Sequence, residues 1–108
     1  MKEIKAFVHR NRAADVIHAL KDAGFLRLSL IDTKGTLRAL DKKEQEYSLE
    51  LGARVITEVK LELVCQDGEV DRAVALIREN GRTGQPEAGW IFVTGIEQAI
   101  PIDGGDGK

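Results

Sequence analysis

The stretch from residue 59 to residue 81, VKLELVCQDGEVDRAVALIRENG, holds the pattern that decides the fold. Its first five residues alternate between apolar and charged side chains, which predicts a strand with one buried face. Further along, apolar residues recur every three or four positions, as on one face of a helix: these are Val70, Ala73, Val74 and Ile77. We therefore predict a strand followed by a helix that Asp67 caps and that ends at Asn80 and Gly81.

An earlier stretch of the chain repeats this pattern. Residues 3–8, EIKAFV, alternate in polarity and predict a strand that places Phe7 on the face opposite its core residues. After HRNR the apolar residues take helical spacing: Ala13, Val16, Ile17 and Leu20. Asn11 or Arg12 stands at the predicted start of this helix, and Gly24 is its expected C-terminal stop.

Two more strands complete the predicted order. Residues 26–34, LRLSLIDTK, alternate again, and residues 90–95, WIFVTG, form an apolar strand. Residues 98–102, QAIPI, are a candidate short extension, broken by Pro101. A strand–helix–strand unit used twice predicts an α+β fold, the ferredoxin-like split βαβ sandwich (βαββαβ), with an antiparallel sheet and two helices on one face.

The composition is that of a single soluble domain over residues 1–102 with a glycine-rich tail at 103–108. A net charge of −2 argues against nucleic-acid binding. Cys65 is the sole cysteine, which excludes an intrachain disulfide and favours a cytoplasmic location. The start, MKEIKAFVHR, has no signal-peptide character. No apolar run approaches the roughly 20 residues of a membrane helix, so no membrane insertion is expected.

Two glycine-bearing segments are predicted to converge at one end of the sheet. One is the long, charge-rich loop at about residues 35–54, and the other is GRTGQPEAGWIFV at residues 81–93. Loops longer than about 15 residues are uncommon without a function. The second segment alone also fits an ordinary helix-to-strand turn. Their convergence favours a ligand site.

These segments resemble the PII signal-transduction family, also called nitrogen regulatory protein P-II. The similarity rests on TKG at 33–35, VKLELV at 59–64 and RTGQPEAGWIFV at 82–93. It implies a cytoplasmic homotrimer that regulates nitrogen utilization and binds ATP, ADP or AMP in intersubunit clefts. It also implies an effector loop, residues 36–54, that contacts a transporter or enzyme. The implied nucleotide-binding positions are Ser29, Gly35, Arg38, Glu62, Val64 and Gly89.

The chain differs from the family pattern at positions whose side chains bind phosphate, 2-oxoglutarate or magnesium in the family. Trp90 stands where the family has a phosphate-binding lysine, and Pro101 and Asp103 replace two phosphate-binding arginines. Ala39 and Glu58 replace the groups that serve 2-oxoglutarate and magnesium, so neither is expected to bind. Charge-assisted hydrogen bonds contribute roughly 1.5–3 kcal/mol each, so these losses lower nucleotide affinity greatly unless other groups compensate.

Arg38 remains as a phosphate-binding cation, and Arg82 and Arg54 are candidates to assist it. Trp90 has two interpretations: it stacks on the ring of a ligand, or it fills a subunit interface, the commoner use of a lone tryptophan. Because the cations are lost, a nucleotide-independent trimeric binding or assembly module is the alternative function.

An enzyme and a metal site are both disfavoured by the sequence. An acylphosphatase-like enzyme needs a phosphate loop with an arginine after the first strand, and a catalytic asparagine. Arg10, Asn11 and Arg12 follow the first predicted strand. Asn11 is more simply a helix N-cap, however, and a glycine-rich phosphate cradle is missing at that point. For a metal, the topology places His9 and Cys65 at opposite ends of the sheet, so no metal site is expected.

Overall fold

The computed structural model describes residues 1–32, 58–85 and 89–103. The predicted long loop at residues 35–54, with Gly35 and Arg38, lies outside the described residues, and so do residues 104–108 of the predicted tail.

The described residues form the predicted strand and helix order. The elements are β1 (Lys2–His9), α1 (Ala13–Asp22), β2 (Leu28–Asp32), β3 (Glu58–Cys65), α2 (Val70–Gly81) and β4 (Gly89–Gly95). Short 3-10 helices at Arg10–Arg12 and Asp67–Glu69 lead into the two α-helices. The strand–helix–strand unit occurs twice, as the sequence predicted.

The strands form one antiparallel sheet in the order β2-β3-β1-β4. Alternate residues of β1 and β3 are buried under both helices, together with Phe25. The strand residues of this core are Ile4, Ala6, Val8, Val59, Leu61 and Leu63, and the helix residues are Ala13, Val16, Leu20, Ala73 and Ile77. This α+β arrangement confirms the predicted ferredoxin-like sandwich. Among residues 1–32, 58–85 and 89–103, no helix covers the opposite face of the sheet.

The C-terminal stop of α1 was predicted correctly. Gly24 has φ 95°, a left-handed conformation that glycine adopts without strain. Its N–H donates to the carbonyl of Lys21 at 3.0 Å, and the N–H of Phe25 donates to the carbonyl of Leu20 at 2.9 Å. This is the Schellman pairing of a helix end, and it delivers Phe25 into the core.

Of the predicted helix starts, Arg12 for α1 is confirmed, whereas the caps predicted at Asn11 and Asp67 were wrong. Asp67 does not cap α2: its Oδ1 accepts a hydrogen bond from the Met1 ammonium at 2.7 Å. Asn11 is not the N-cap of α1 either: it lies in the preceding 3-10 turn, where its backbone N–H donates to His9 Nδ1 at 3.2 Å. Arg12 is the N-cap of α1 and makes no side-chain cap bond. A 3-10 turn precedes each helix, so the polar residues lie one turn before the helix begins.

The predicted extension at residues 98–102 was also wrong, since these residues lie outside β4. The partner strand explains where β4 stops. Gly95 pairs with Lys2, and the N–H of Ile96 donates to the carbonyl of Met1 at 3.1 Å. Lys2 is the first residue of β1, so the ladder with β4 ends at this pair, and Pro101 has no N–H to donate.

Candidate functional site

The face of the sheet opposite α1 and α2 carries polar side chains on one side and aromatic side chains on the other. Residues directly opposite each other in an antiparallel pair share a face, so the register defines rows across the sheet. One row consists of Ser29, Glu62, Lys5 and Phe92. The next row consists of Ile31, Lys60, Phe7 and Trp90. We call this surface the open face.

Three of the predicted site residues line one cavity at the β2–β3 side of the sheet. Ser29 and Glu62 are cross-strand partners, and Val64 follows two residues later on β3. The cavity has a volume of about 500 Å³. Its other lining residues include Glu3, Arg27, Ile96 and Gln98. We call it the Glu62 cavity.

The Glu62 cavity is lined by two carboxylates. Lys60 Nζ lies 3.2 Å from a carboxylate oxygen of Glu62, and Lys5 Nζ lies 3.5 Å from one of Glu3. The carboxylates accept hydrogen bonds, and the Ser29 hydroxyl donates or accepts. This lining suits an uncharged group rich in donors, such as a ribose or the amino group of a nucleobase. Two carboxylates and the single guanidinium of Arg27 line the cavity, so it attracts a phosphate less than a cavity lined by cations alone.

Gly89 lies in a second cavity, which we call the Gly89 cavity, at the start of β4. Its volume is about 270 Å³. Its lining comes from the end of α2 and from β1 and β4: Phe7, Val8, Ile77, Arg78, Gly81, Arg82, Trp90 and Ile91. Gly89 pairs with Val8 at a φ of 154°, and a Cβ there would overlap the carbonyl oxygen of Phe7. Glycine is required at this position because the two backbones approach so closely.

The predicted site residues are therefore divided between two places. Ser29 lies on β2 and Gly89 on β4, at opposite edges of the sheet, with β3 and β1 between them. Three strand spacings amount to about 14 Å, at roughly 4.8 Å each. Gly35 and Arg38 lie outside the described residues. The strand ends that flank the two predicted loops do lie at one end of the sheet, because Asp32 pairs with Val59 and Val8 pairs with Gly89.

Three aromatic rings form a cluster on the open face beside the Gly89 cavity. The Phe7 and Phe92 rings meet edge to face with their centroids 6.2 Å apart. The rings of Trp90 and Phe92 are stacked, with their centroids 6.4 Å apart. Trp90 is 57% exposed and Phe92 51% exposed. Single exposed apolar residues are ordinary, whereas a contiguous exposed apolar patch is typical of interaction surfaces, so this cluster is a candidate for one.

Sequence reasoning had missed several residues of these surfaces. Glu3 and Arg27 enter the Glu62 cavity, and Arg78 enters the Gly89 cavity. Phe92 was read only as part of an apolar strand. The alternation of β4 could have shown its position, because Trp90 and Phe92 share one face when Ile91 turns to the other.

The placement of His9 and Cys65 at opposite ends of the sheet is confirmed. Cys65 pairs with Lys2 at one end of the β1–β3 ladder, and His9 pairs with Glu58 at the other. In residues 1–32, 58–85 and 89–103 there is no group of three or more His, Cys, Asp or Glu side chains that could hold a metal ion. Within the same ranges, no helix has the length and apolar content to cross a membrane.

Comparison with known proteins shows the family. The family model for nitrogen regulatory protein P-II matches residues 1–106. The P-II protein of Rhodobacter capsulatus is 36% identical over 106 residues, covering 98% of this chain and 95% of its own length. The P-II protein of Rhodospirillum rubrum is 33% identical with the same coverage. Nitrogen regulatory protein P-II 1 of Methanothermobacter thermautotrophicus is 30% identical, over 98% of this chain and 92% of its own.

This chain therefore belongs to the nitrogen regulatory protein P-II family, as its resemblance predicted. Members of the family are signal-transduction regulators, not enzymes, and are typically trimeric proteins that interact with partner proteins.

Proposed function

We propose that this chain is a homotrimeric PII regulator that binds an adenine nucleotide in clefts between its copies. The bound nucleotide controls a partner protein, a transporter or an enzyme, through residues 36–54. The chain itself catalyses no reaction. Family membership supports the regulatory role, and the geometry of the two cavities supports the location of the nucleotide.

The separation of Ser29 from Gly89 is the observation that carries this proposal. Both belong to the nucleotide site that the family resemblance implies, yet they lie at opposite edges of one sheet. Ser29 pairs with Glu62 on the open face, whereas Gly89 pairs with the buried Val8 on the helix side. In the proposed site, a single ligand that uses both residues takes one from each of two copies. The site is then incomplete without a second chain, which makes assembly part of ligand binding.

The Glu62 cavity is the proposed half for the base and ribose. A Glu62 carboxylate that accepts from a ribose hydroxyl or an exocyclic amine makes a charge-assisted hydrogen bond. Lys60 and the sheet pairing with Ser29 hold Glu62 in place on the open face. The Gly89 cavity is the other half, contributed by the neighbouring copy.

The aromatic cluster supports assembly through the open face. Trp90, Phe92 and Ile31 are exposed large apolar side chains on this face. Buried aromatic contact stabilises protein interfaces strongly. In the proposed trimer these side chains pack between copies, and the open face loses its contact with water.

Isothermal titration with ATP, ADP, AMP, cyclic AMP and adenosine tests the nucleotide proposal. We expect at least one of the phosphorylated compounds to bind. Glu62→Gln should weaken that binding roughly ten- to hundredfold, the effect of one charge-assisted hydrogen bond. Asp22→Asn, which removes an exposed carboxylate at the end of α1, serves as the matched control and should not change it. If none of the five compounds binds, the nucleotide is removed from the proposal.

The alternative is a trimeric assembly module that needs no nucleotide. The aromatic cluster favours it, because Trp90 occupies the position where the family has a phosphate-binding lysine and extends the apolar surface beside Phe92. Both candidates predict that deleting residues 40–50 abolishes capture of the partner and leaves the trimer intact. Partner capture that responds to added nucleotide favours the regulator. Capture that ignores nucleotide favours the module.

A further inference from the structure

The end of α2 places two arginines at the Gly89 cavity. Arg78 lies in the last turn of α2, and Arg82 is the residue directly after the helix. Both side chains are exposed, and both line the Gly89 cavity. They also line an adjacent groove of about 410 Å³ together with Ala75 and Glu79.

The two guanidinium groups have no ion-pair partner among the described residues, Glu79 included. Other arginines near cavities are engaged differently. Arg72 pairs with Glu69 at 2.7 Å and lies over the ring of Phe25 at 4.8 Å. Arg27 shares its cavity with the carboxylates of Glu3 and Glu62, which weaken its attraction for an anion.

The Gly89 cavity therefore has a positive rim and an apolar floor. Val8, Ile77 and Ile91 contribute the floor, and no acidic residue lines the cavity in the described parts of the chain. The carbonyl end of α2 contributes a partial negative charge of about one half, which two full positive charges exceed. Like charges four residues apart repel, and a bound anion relieves that repulsion.

We propose that Arg78 and Arg82 are the phosphate clamp of this chain and hold the anionic phosphates of the nucleotide at the Gly89 cavity. This inference rests on the proposed function, and it names the groups that replace the phosphate-binding cations that this chain lacks. The planar guanidinium fork matches phosphate oxygens in pairs, so two arginines are enough to orient a phosphate chain. Trp90, beside them, supplies apolar surface and no charge.

Titration with three probes, ATP, adenosine and inorganic pyrophosphate, tests the clamp. The variant is the double substitution Arg78→Gln with Arg82→Gln, and Arg72→Gln on the same helix is the matched control. We expect the double variant to lose at least tenfold in ATP affinity and to keep its adenosine affinity. Its ATP affinity should also depend less on the salt concentration than that of the wild type. Arg72→Gln should bind ATP as the wild type does. Circular dichroism checks that each variant is folded.

The outcomes separate the clamp from the nucleotide proposal. The clamp is overturned if the wild type and the double variant bind ATP with equal affinity, or if Arg72→Gln loses as much ATP affinity as the double variant does. Either result leaves the nucleotide proposal standing. Pyrophosphate binding that the double variant loses, with no binding of any of the five adenine compounds titrated above, supports an anion clamp and overturns the nucleotide proposal. If neither pyrophosphate nor any of the five adenine compounds binds, both proposals are overturned.

Discussion

Gly89 lies so close to Phe7 that a Cβ atom at residue 89 would overlap the carbonyl oxygen of Phe7. The contact is between the backbones of two neighbouring strands, so neither residue can yield by turning a side chain. It fixes the start of β4 against β1, and with it the position of Trp90 and the mouth of the Gly89 cavity.

Gly89→Ala should therefore destabilise the chain by about 1–3 kcal/mol, through backbone strain and loss of the Val8 pairing. The free energy of unfolding in urea measures this. Gly68→Ala is the control, since nothing lies within 4 Å of a Cβ built there and its φ is not in the left-handed region. If both alanine variants unfold at the same urea concentration, the close approach does not matter for stability.

Assembly through the open face predicts that Phe92→Ser shifts the proposed trimer toward monomers. The physical reason is that a half-exposed ring, which would be buried between copies, is replaced by a polar group. Sedimentation equilibrium measures the change. Leu30→Ser is the control: Leu30 is 46% exposed, similar to Phe92 at 51%, but it pairs with Leu61 and faces the helix side of the sheet. Dissociation caused by Leu30→Ser alone would place the interface on the other face.

The pH dependence of stability should reflect the bond between Asp67 and the Met1 ammonium. The hydrogen bond and the positive charge of the amino terminus lower the pKa of Asp67. Because the folded pKa lies below the unfolded one, the carboxylate stabilises the fold at neutral pH, and this contribution is lost as the pH falls through the folded pKa. We expect Asp67→Asn to lower the urea midpoint at neutral pH and to match the wild type in strong acid.

The effect at Asp67 should be small, because the carboxylate is well exposed to water. If the urea midpoints of the wild type and Asp67→Asn differ by the same amount at neutral pH and in strong acid, the ion pair is not the cause of that difference.

Cys65 should react slowly with thiol reagents. Burial raises the pKa of its thiol, the charges of Glu69 and Asp67 raise it further, and the Met1 ammonium opposes them. The reactive form is the thiolate, so a raised pKa lowers the rate of alkylation at neutral pH. Glu69→Gln should increase that rate, and Glu79→Gln, at the far end of α2, should not. Alkylation as fast as that of free cysteine would contradict this environment for Cys65.

The core of the fold could be predicted from the sequence because it depends on the spacing at which apolar residues recur along the chain. The alternation of β1 and β3 placed Ile4 and Leu61 correctly, and Gly24 marked the end of α1. Helix starts could not be predicted as well. The 3-10 turns moved Asn11 and Asp67 one turn away from the caps, and Asp67 instead binds the amino terminus, a partner 66 residues away in sequence.

The candidate site could be predicted only in part. The resemblance named Ser29 and Glu62, but their direct pairing depends on the register of β2 against β3, which no local pattern shows. The direction of Arg82 likewise depends on how the chain leaves α2. Arg78 was missed because an exposed helix arginine looks the same in the sequence whether it borders a cavity or open water.

Mixing two variants tests the central claim, a nucleotide site shared between copies, most directly. Glu62→Gln damages the proposed base half, and the double variant Arg78→Gln with Arg82→Gln damages the proposed phosphate half. After the two chains exchange within mixed trimers, some clefts combine an intact Glu62 from one copy with intact arginines from the next. We predict that the mixture recovers high-affinity ATP sites that neither variant has alone. No recovery, with exchange of chains verified by mass, would contradict a shared site.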